Sequence, residues 1–107
     1  MGVHVIAVYR PKPGADEALL AEVERHVPLL RSLGLATATP SLVLRAPDGT
    51  LLEHFEWVSH DAIDTAHGHP EVLAMWERYE ACCDYGNLAQ LPNAEAPFPE
   101  FDCVGTF

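Results

Sequence analysis

One tetrapeptide constrains the fold more than any other: Ala46-Pro47-Asp48-Gly49. Proline presets φ and glycine accepts positive φ, so a chain that is extended on both sides turns back on itself there. Ala36 to Arg45, rich in Thr and Val, is the incoming strand, and Pro40 marks it as an edge strand or a bulge. Thr50 to Ser59 is the returning strand and carries Phe55 and Trp57. Upstream, Val3 to Arg10 is β-branched and apolar, and it stops at Pro11-Lys12-Pro13-Gly14. A helix from Asp16 to Leu33 follows, because Leu19, Leu20, Val23, Val27 and Leu30 recur at helical spacing. Gly34 suits its C′ position, and Pro28 is expected to kink it or split off its last turn.

After the hairpin, Ser59 is placed to N-cap a helix starting near Asp61. His67-Gly68-His69-Pro70 interrupts that helix, and Pro70 is a good first residue for its continuation. Val72, Trp76, Tyr79 and Cys83 are then expected on one face. Asp84 to Glu95 is irregular, with a turn of helix near Leu88, and Phe98 to Val104 reads as the last strand. The order is β-α-β-β-α-β, an α+β split βαβ arrangement. It implies a four-stranded antiparallel sheet with both helices on one face. At 107 residues the chain, 1–107, is a single domain.

Such a layout leaves one sheet face without helices, and parity shows what lies there. On the first strand Val5, Ala7 and Tyr9 alternate with His4, Ile6 and Val8; on the third, Phe55 and Trp57 alternate with His54 and Glu56. Large apolar residues occur in both sets, so neither face is plainly solvated. The expected solution is a homodimer that packs two sheets face to face.

The charge excludes other partners. The chain has 6 Lys+Arg against 16 Asp+Glu, a formal net charge of −10. A phosphate backbone repels such a surface, so nucleic acid is not an expected partner. No apolar run approaches the ~18 residues of a membrane helix, and no basic stretch followed by an apolar run reads as a secretory leader. Cys82, Cys83 and Cys103 are odd in number and two are adjacent, which fits reduced thiols in a cytoplasmic protein.

Three stretches carry a resemblance. They are Pro13-Gly14 after the first strand, Glu56-Trp57-Val58-Ser59-His60-Asp61-Ala62 leaving the third, and Ala66-His67-Gly68-His69-Pro70. Together they resemble the antibiotic biosynthesis monooxygenase-like family, over about residues 3–83. The resemblance implies a ferredoxin-like subunit of a dimeric α/β barrel. It also implies that Ala7, Tyr9, Phe55 and Trp57 face the helices, while His4, His54 and Glu56 face a partner sheet. Characterised members include cofactor-free oxygenases of polycyclic phenols. A haem-degrading branch uses a first-strand Asn, the signature Trp and a helix His; here the first and last positions hold Ala7 and Trp76, so no haem is expected.

The candidate site follows. Tyr9, Phe55, Trp57, Trp76 and Tyr79 are either core aromatics or the wall of a pocket for a planar, phenolic ligand. His67 is either a helix-terminus residue or, at the pocket mouth, the catalytic general base or a substrate contact. His67-x-His69 lacks further ligands at zinc spacing, so no metal or other cofactor is expected. His54 and Glu56 form either a satisfied interface network or a pH-sensitive one, and His26 carries no functional reading. Two functions stay open: a small cofactor-independent monooxygenase, and a non-catalytic dimeric barrel that binds a small ligand or serves a stress or regulatory role. A pocket of a few hundred Å³ reaching a His or Tyr polar atom distinguishes the first from the second.

Overall fold

In the computed structural model, which describes residues 2–107, the turn at Ala46-Pro47-Asp48-Gly49 forms as its residues dictate. The Ala46 N–H donates to the Thr50 carbonyl (2.8 Å), and Gly49 takes φ +93°. The turn joins β2 (Leu42–Arg45) to β3 (Leu51–Trp57). Before it come β1 (Val3–Pro11) and α1 (Asp16–Ser32). After it come α2 (His60–Ala66), α3 (Pro70–Cys82), β4 (Cys83–Tyr85), a 3₁₀ turn at Leu88–Gln90, and β5 (Asp102–Thr106).

The fold is α+β, with one antiparallel sheet in the order β4-β1-β3-β2-β5. The sheet has five strands rather than four. Cys83–Tyr85 pairs with β1 directly after α3, with Tyr9 opposite Tyr85. Three residues are too few to show alternation, so this strand is illegible in the sequence. The expected last strand at Phe98 to Val104 is displaced to Asp102–Thr106 and pairs with β2 at the other edge. Pro99 delays its start, and Phe98 is 88% exposed. The incoming hairpin strand is also shorter than expected. Ala36 makes one bridge to Trp57, and regular pairing begins only beyond Pro40, at Leu42.

α1 runs unbroken through Pro28. Pro28 is exposed, so the Glu24 carbonyl that loses its partner sits on the solvent side of the helix. The helix ends in a Schellman geometry: Leu35 N–H donates to Leu30 and Gly34 N–H to Arg31, with Gly34 at φ +75°. Ser59 caps α2 by accepting from the Ala62 N–H at 3.1 Å. His69 caps α3: its Nδ1 accepts from the Glu71 N–H at 3.2 Å. The second helical segment is therefore two helices, divided where His67 to Pro70 predicts.

The main core lies between the helices and one sheet face. Leu19, Val23, Val27 and Leu30 of α1 meet Val72, Met75 and Tyr79 of α3 and Tyr9, Val43, Phe55 and Trp57 of the sheet. Each fully buried aliphatic side chain there contributes about 1.5–3 kcal/mol. The buried face of α3 is Val72, Met75, Tyr79 and Cys82, which corrects the expected Val72, Trp76, Tyr79 and Cys83. Trp76 is only partly buried, and Cys83 already belongs to β4.

The opposite sheet face is partly covered by the chain itself. Val8, Ala46, Leu52 and Leu91 form a second buried cluster, flanked by Leu44 and Phe101. The segment between β4 and β5 thus folds back over part of the face expected to be shielded only by a second copy. Ile6 remains 51% exposed there, beside the exposed Leu42. Among the described residues, no helix is long and apolar enough to cross a membrane.

Candidate functional site

Antiparallel pairing puts directly opposed residues on one face, and this builds the site. Val5 lies opposite Phe55, and Ala7 opposite Glu53. These residues, with Tyr9 and Trp57, face the helices. The small side chains of Val5 and Ala7 leave space beside the larger rings, and a cavity of about 430 Å³ opens there.

All six residues singled out from the sequence line this cavity: Tyr9, Phe55, Trp57, His67, Trp76 and Tyr79. Phe55 and Trp57 pack against each other with ring centroids 5.4 Å apart. Tyr9 and Tyr79 are 4.9 Å apart. Most of these rings are therefore both core and wall, buried on one side and bordering the cavity on the other.

His67 stands at the mouth, exposed, with its ring edge-on to Trp76 at 5.0 Å. Its Nδ1 donates to the Ile63 carbonyl at 2.7 Å. A carbonyl only accepts, so Nδ1 carries a proton, and a neutral His67 offers its lone pair at Nε2.

Two residues with no functional reading in the sequence meet in the core beside the cavity, and of the two His26 borders it. Glu53, on β3, is 0% exposed, and His26, on α1, is 4% exposed. Glu53 Oε1 accepts from the Tyr9 hydroxyl at 2.8 Å and lies 2.7 Å from His26 Nδ1. The His26 ring sits edge-on between Phe55 (5.2 Å) and Tyr79 (5.3 Å) and lines the cavity. His26 Nε2, Glu53 Oε2 and the Tyr79 hydroxyl are buried without a hydrogen-bond partner. The signal was present: Glu53 falls in the strand parity set of Phe55 and Trp57, and His26 lies one position before Val27 on the apolar face of α1.

Burial, then the nearby Glu53 charge, pushes the Tyr9 and Tyr79 hydroxyls well above the usual phenol range. Tyr85, also on the cavity wall, is pushed up to about 12 by burial and the neighbouring Cys83. All three therefore remain neutral phenols. Burial likewise raises the thiols, Cys83 to about 12, and leaves Cys82 and Cys83 as poor nucleophiles. Across the helices, Glu22 is buried and holds Arg25 at 2.6 Å and the Arg78 Nε at 3.1 Å, which ties α1 to α3.

His4, His54 and Glu56 lie together on the other sheet face. His4 Nδ1 is 2.9 Å from His54 Nε2, with the rings stacked at 5.1 Å. His4 Nε2 is 3.1 Å from Glu56 Oε2. Glu56 also accepts from the hydroxyls of Thr37 (2.9 Å) and Thr39 (3.1 Å). The hydrogen bond from Thr37 is the main reason its carboxyl sits below the usual range. The network is satisfied within one chain. Among the described residues, no group of three or more His, Cys, Asp or Glu is arranged to hold a metal ion.

No protein-family model, curated protein or solved structure matches the chain.

Proposed function

We propose that this chain is a small cofactor-independent monooxygenase of the antibiotic biosynthesis monooxygenase-like kind, acting on an aromatic or phenolic small molecule. The observation that carries the reading is the cavity of about 430 Å³ between helices and sheet, walled by aromatic rings and reaching His67 at its mouth. Its size falls in the range of ligand sites, ~300–1,000 Å³, and its wall is mostly apolar with a few polar atoms. A solid interior packed by Trp57 and Trp76 would have favoured the non-catalytic barrel.

In this reading the rings hold and desolvate a planar substrate, and His67 Nε2 contacts it or takes its proton. The phenol supplies its own electrons. It loses its hydroxyl proton and the phenolate reacts with O₂; one oxygen atom enters the ring as a carbonyl, and the other leaves as water with two substrate hydrogens.

We propose further that the subunit is ferredoxin-like and pairs with a second copy through the open sheet face, forming a dimeric α/β barrel. The β4-β1-β3-β2 order supports the first part. The exposed Ile6 and Leu42 support the second, together with a groove of about 340 Å³ that they share with Leu88 and Phe101. His4, His54 and Glu56 satisfy one another, so this face buries against its own copy without orphaning a charge. Three unpaired thiols support a reducing, cytoplasmic setting.

The test is a thermal-shift screen with hydroxyquinones and phenols, followed by oxygen uptake on every hit. A raised Tm with O₂ consumption is the expected result. A raised Tm with no O₂ uptake favours the alternative, a non-catalytic barrel that binds a small ligand or serves a stress or regulatory role. No shift with any of these compounds overturns the aromatic-ligand reading.

A further inference from the structure

The inner end of the cavity holds an arrangement that a plain core would not. Buried polar atoms are almost always hydrogen-bonded, yet three neighbouring ones here are not: His26 Nε2, Glu53 Oε2 and the Tyr79 hydroxyl. His26 and Tyr79 border the same cavity. A core built only for stability would place Leu or Phe at these positions.

We infer that His26, oriented by Glu53, is a second proton acceptor, at the inner end of the cavity, and that it receives the hydroxyl of a neutral phenol or enol. The inference rests on the cavity's being an aromatic-ligand site. An ionised Glu53 only accepts hydrogen bonds, so the 2.7 Å contact fixes the proton of His26 on Nδ1. The Tyr9 hydroxyl on the same oxygen and the rings of Phe55 and Tyr79 hold the pair in place. In its neutral form the imidazole is then held in the tautomer whose lone pair is on Nε2. A carboxylate that orients a histidine in this way also stabilises the imidazolium that forms.

The step balances without a further reagent. The ligand O–H bond breaks, its proton passes to Nε2, and the electron pair stays on the ligand oxygen. His26 keeps its Nδ1–H bond to Glu53, and the Tyr79 O–H, which has no other partner, is available to donate to the new anion. The charged groups facing the pair also set the ligand class. Glu53 lies on one side, Glu80 borders the cavity, and Glu22 on α1 is occupied by Arg25 and Arg78. Among the described residues no Lys or Arg lines the cavity, so a ligand that arrives as a carboxylate meets Glu80 and the nearby Glu53 with no fixed cation to pair with. Neutral hydroxyaromatics are selected over aromatic acids.

The experiment uses the full chain and 4-nitrophenol, whose anion absorbs in the visible, with 4-nitrobenzoate as the acid control. Quenching of Trp57 and Trp76 fluorescence reports occupancy. ¹⁵N NMR of the histidine rings reports where the protons are. At a pH where free 4-nitrophenol is protonated, the bound probe should show the phenolate spectrum. The His26 Nε2 signal should move from the unprotonated to the protonated position, and 4-nitrobenzoate should not quench. His26→Gln should bind the probe about tenfold more weakly and keep it neutral, the loss of one hydrogen bond to a charged group. Quenching with the probe still neutral and the Nε2 signal unmoved overturns the role of His26 and leaves the aromatic cavity standing. Equal affinity and spectrum in His26→Gln does the same. No quenching by this or any other phenol overturns both. Should His26→Gln fail to fold, the nitrogen signals of the unaltered protein decide alone.

Discussion

His26 Nδ1 lies 2.7 Å from Glu53 Oε1 inside a core that neither side chain leaves. This one contact joins α1 to the central strand β3, and the Tyr9 hydroxyl on the same oxygen brings in β1. Polar groups so deep are costly when separated and nearly neutral when replaced together.

A double-mutant cycle reads that asymmetry. Glu53→Leu strands His26 and the Tyr9 hydroxyl, and His26→Leu leaves the buried Glu53 with the Tyr9 hydroxyl alone, so each single change should cost about 3–5 kcal/mol in urea unfolding. The double change should cost less than the sum by about 1–3 kcal/mol. Strict additivity would show that the two groups do not interact.

Trp57 is almost fully buried but borders the cavity on one side. Trp57→Ala should destabilise by about 3 kcal/mol, the low end for an aromatic truncation, because part of the ring surface already lacks neighbours. Denaturant midpoints check the stability, and ligand binding should be lost in the same variant.

His67 is exposed, and its side chain hydrogen-bonds the last turn of α2. His67→Ala should shift Tm by no more than a surface change does, within about 0.5 kcal/mol. Turnover of a phenol that the protein oxidises should fall, while the protein remains folded by circular dichroism. Undiminished turnover would remove His67 from the chemistry.

Glu56 carries a pH signature. Its folded carboxyl lies below the ordinary value of 4.5, first because of the Thr37 hydroxyl and also through Thr39 and His4. A depressed carboxyl stabilises the fold above its unfolded pKa and loses that contribution as pH falls through the folded value. The effect is therefore complete above pH 4.5 and fades below it. Thr37→Val should move the Glu56 carboxyl signal in an NMR titration back towards the ordinary value; an unmoved titration would mean that Thr37 is not the cause.

Ile6 tests the pairing of two copies. It is a large aliphatic side chain, half exposed on the helix-free sheet face. Ile6→Asp should turn a dimer into a monomer in sedimentation velocity without loss of secondary structure. An unaltered protein that sediments as a monomer at high concentration would end the sheet-to-sheet proposal.

Elements that announce themselves by periodicity or turn chemistry were legible in the sequence. The hairpin at Ala46-Pro47-Asp48-Gly49, the α1 stripe, the Ser59 cap and the break at His67 to Pro70 all stand where local residues put them. What stayed hidden depends on contacts distant in sequence. Cys83–Tyr85 becomes a strand only because β1 offers an unpaired edge, and β5 runs to β2 because that edge is the one left. Parity put Glu53 among the aromatics, but a lone carboxylate in an alternating strand does not disclose its partner. His26, on another element and 27 positions away, supplies it. The aromatic wall was readable as a set of rings, but the space between them was not, because a cavity depends on how far helix and sheet stand apart.

The two helices beside that space are tied to each other by a pair that does not line the cavity. Glu22 sits one turn before His26 on α1, and Arg78 directly precedes Tyr79 on α3, so their 3.1 Å contact acts as a gauge pin between two walls. Lengthening or shortening that pin is a way to retune the chamber for a broader or slimmer guest while every ring that greets the guest is left in place.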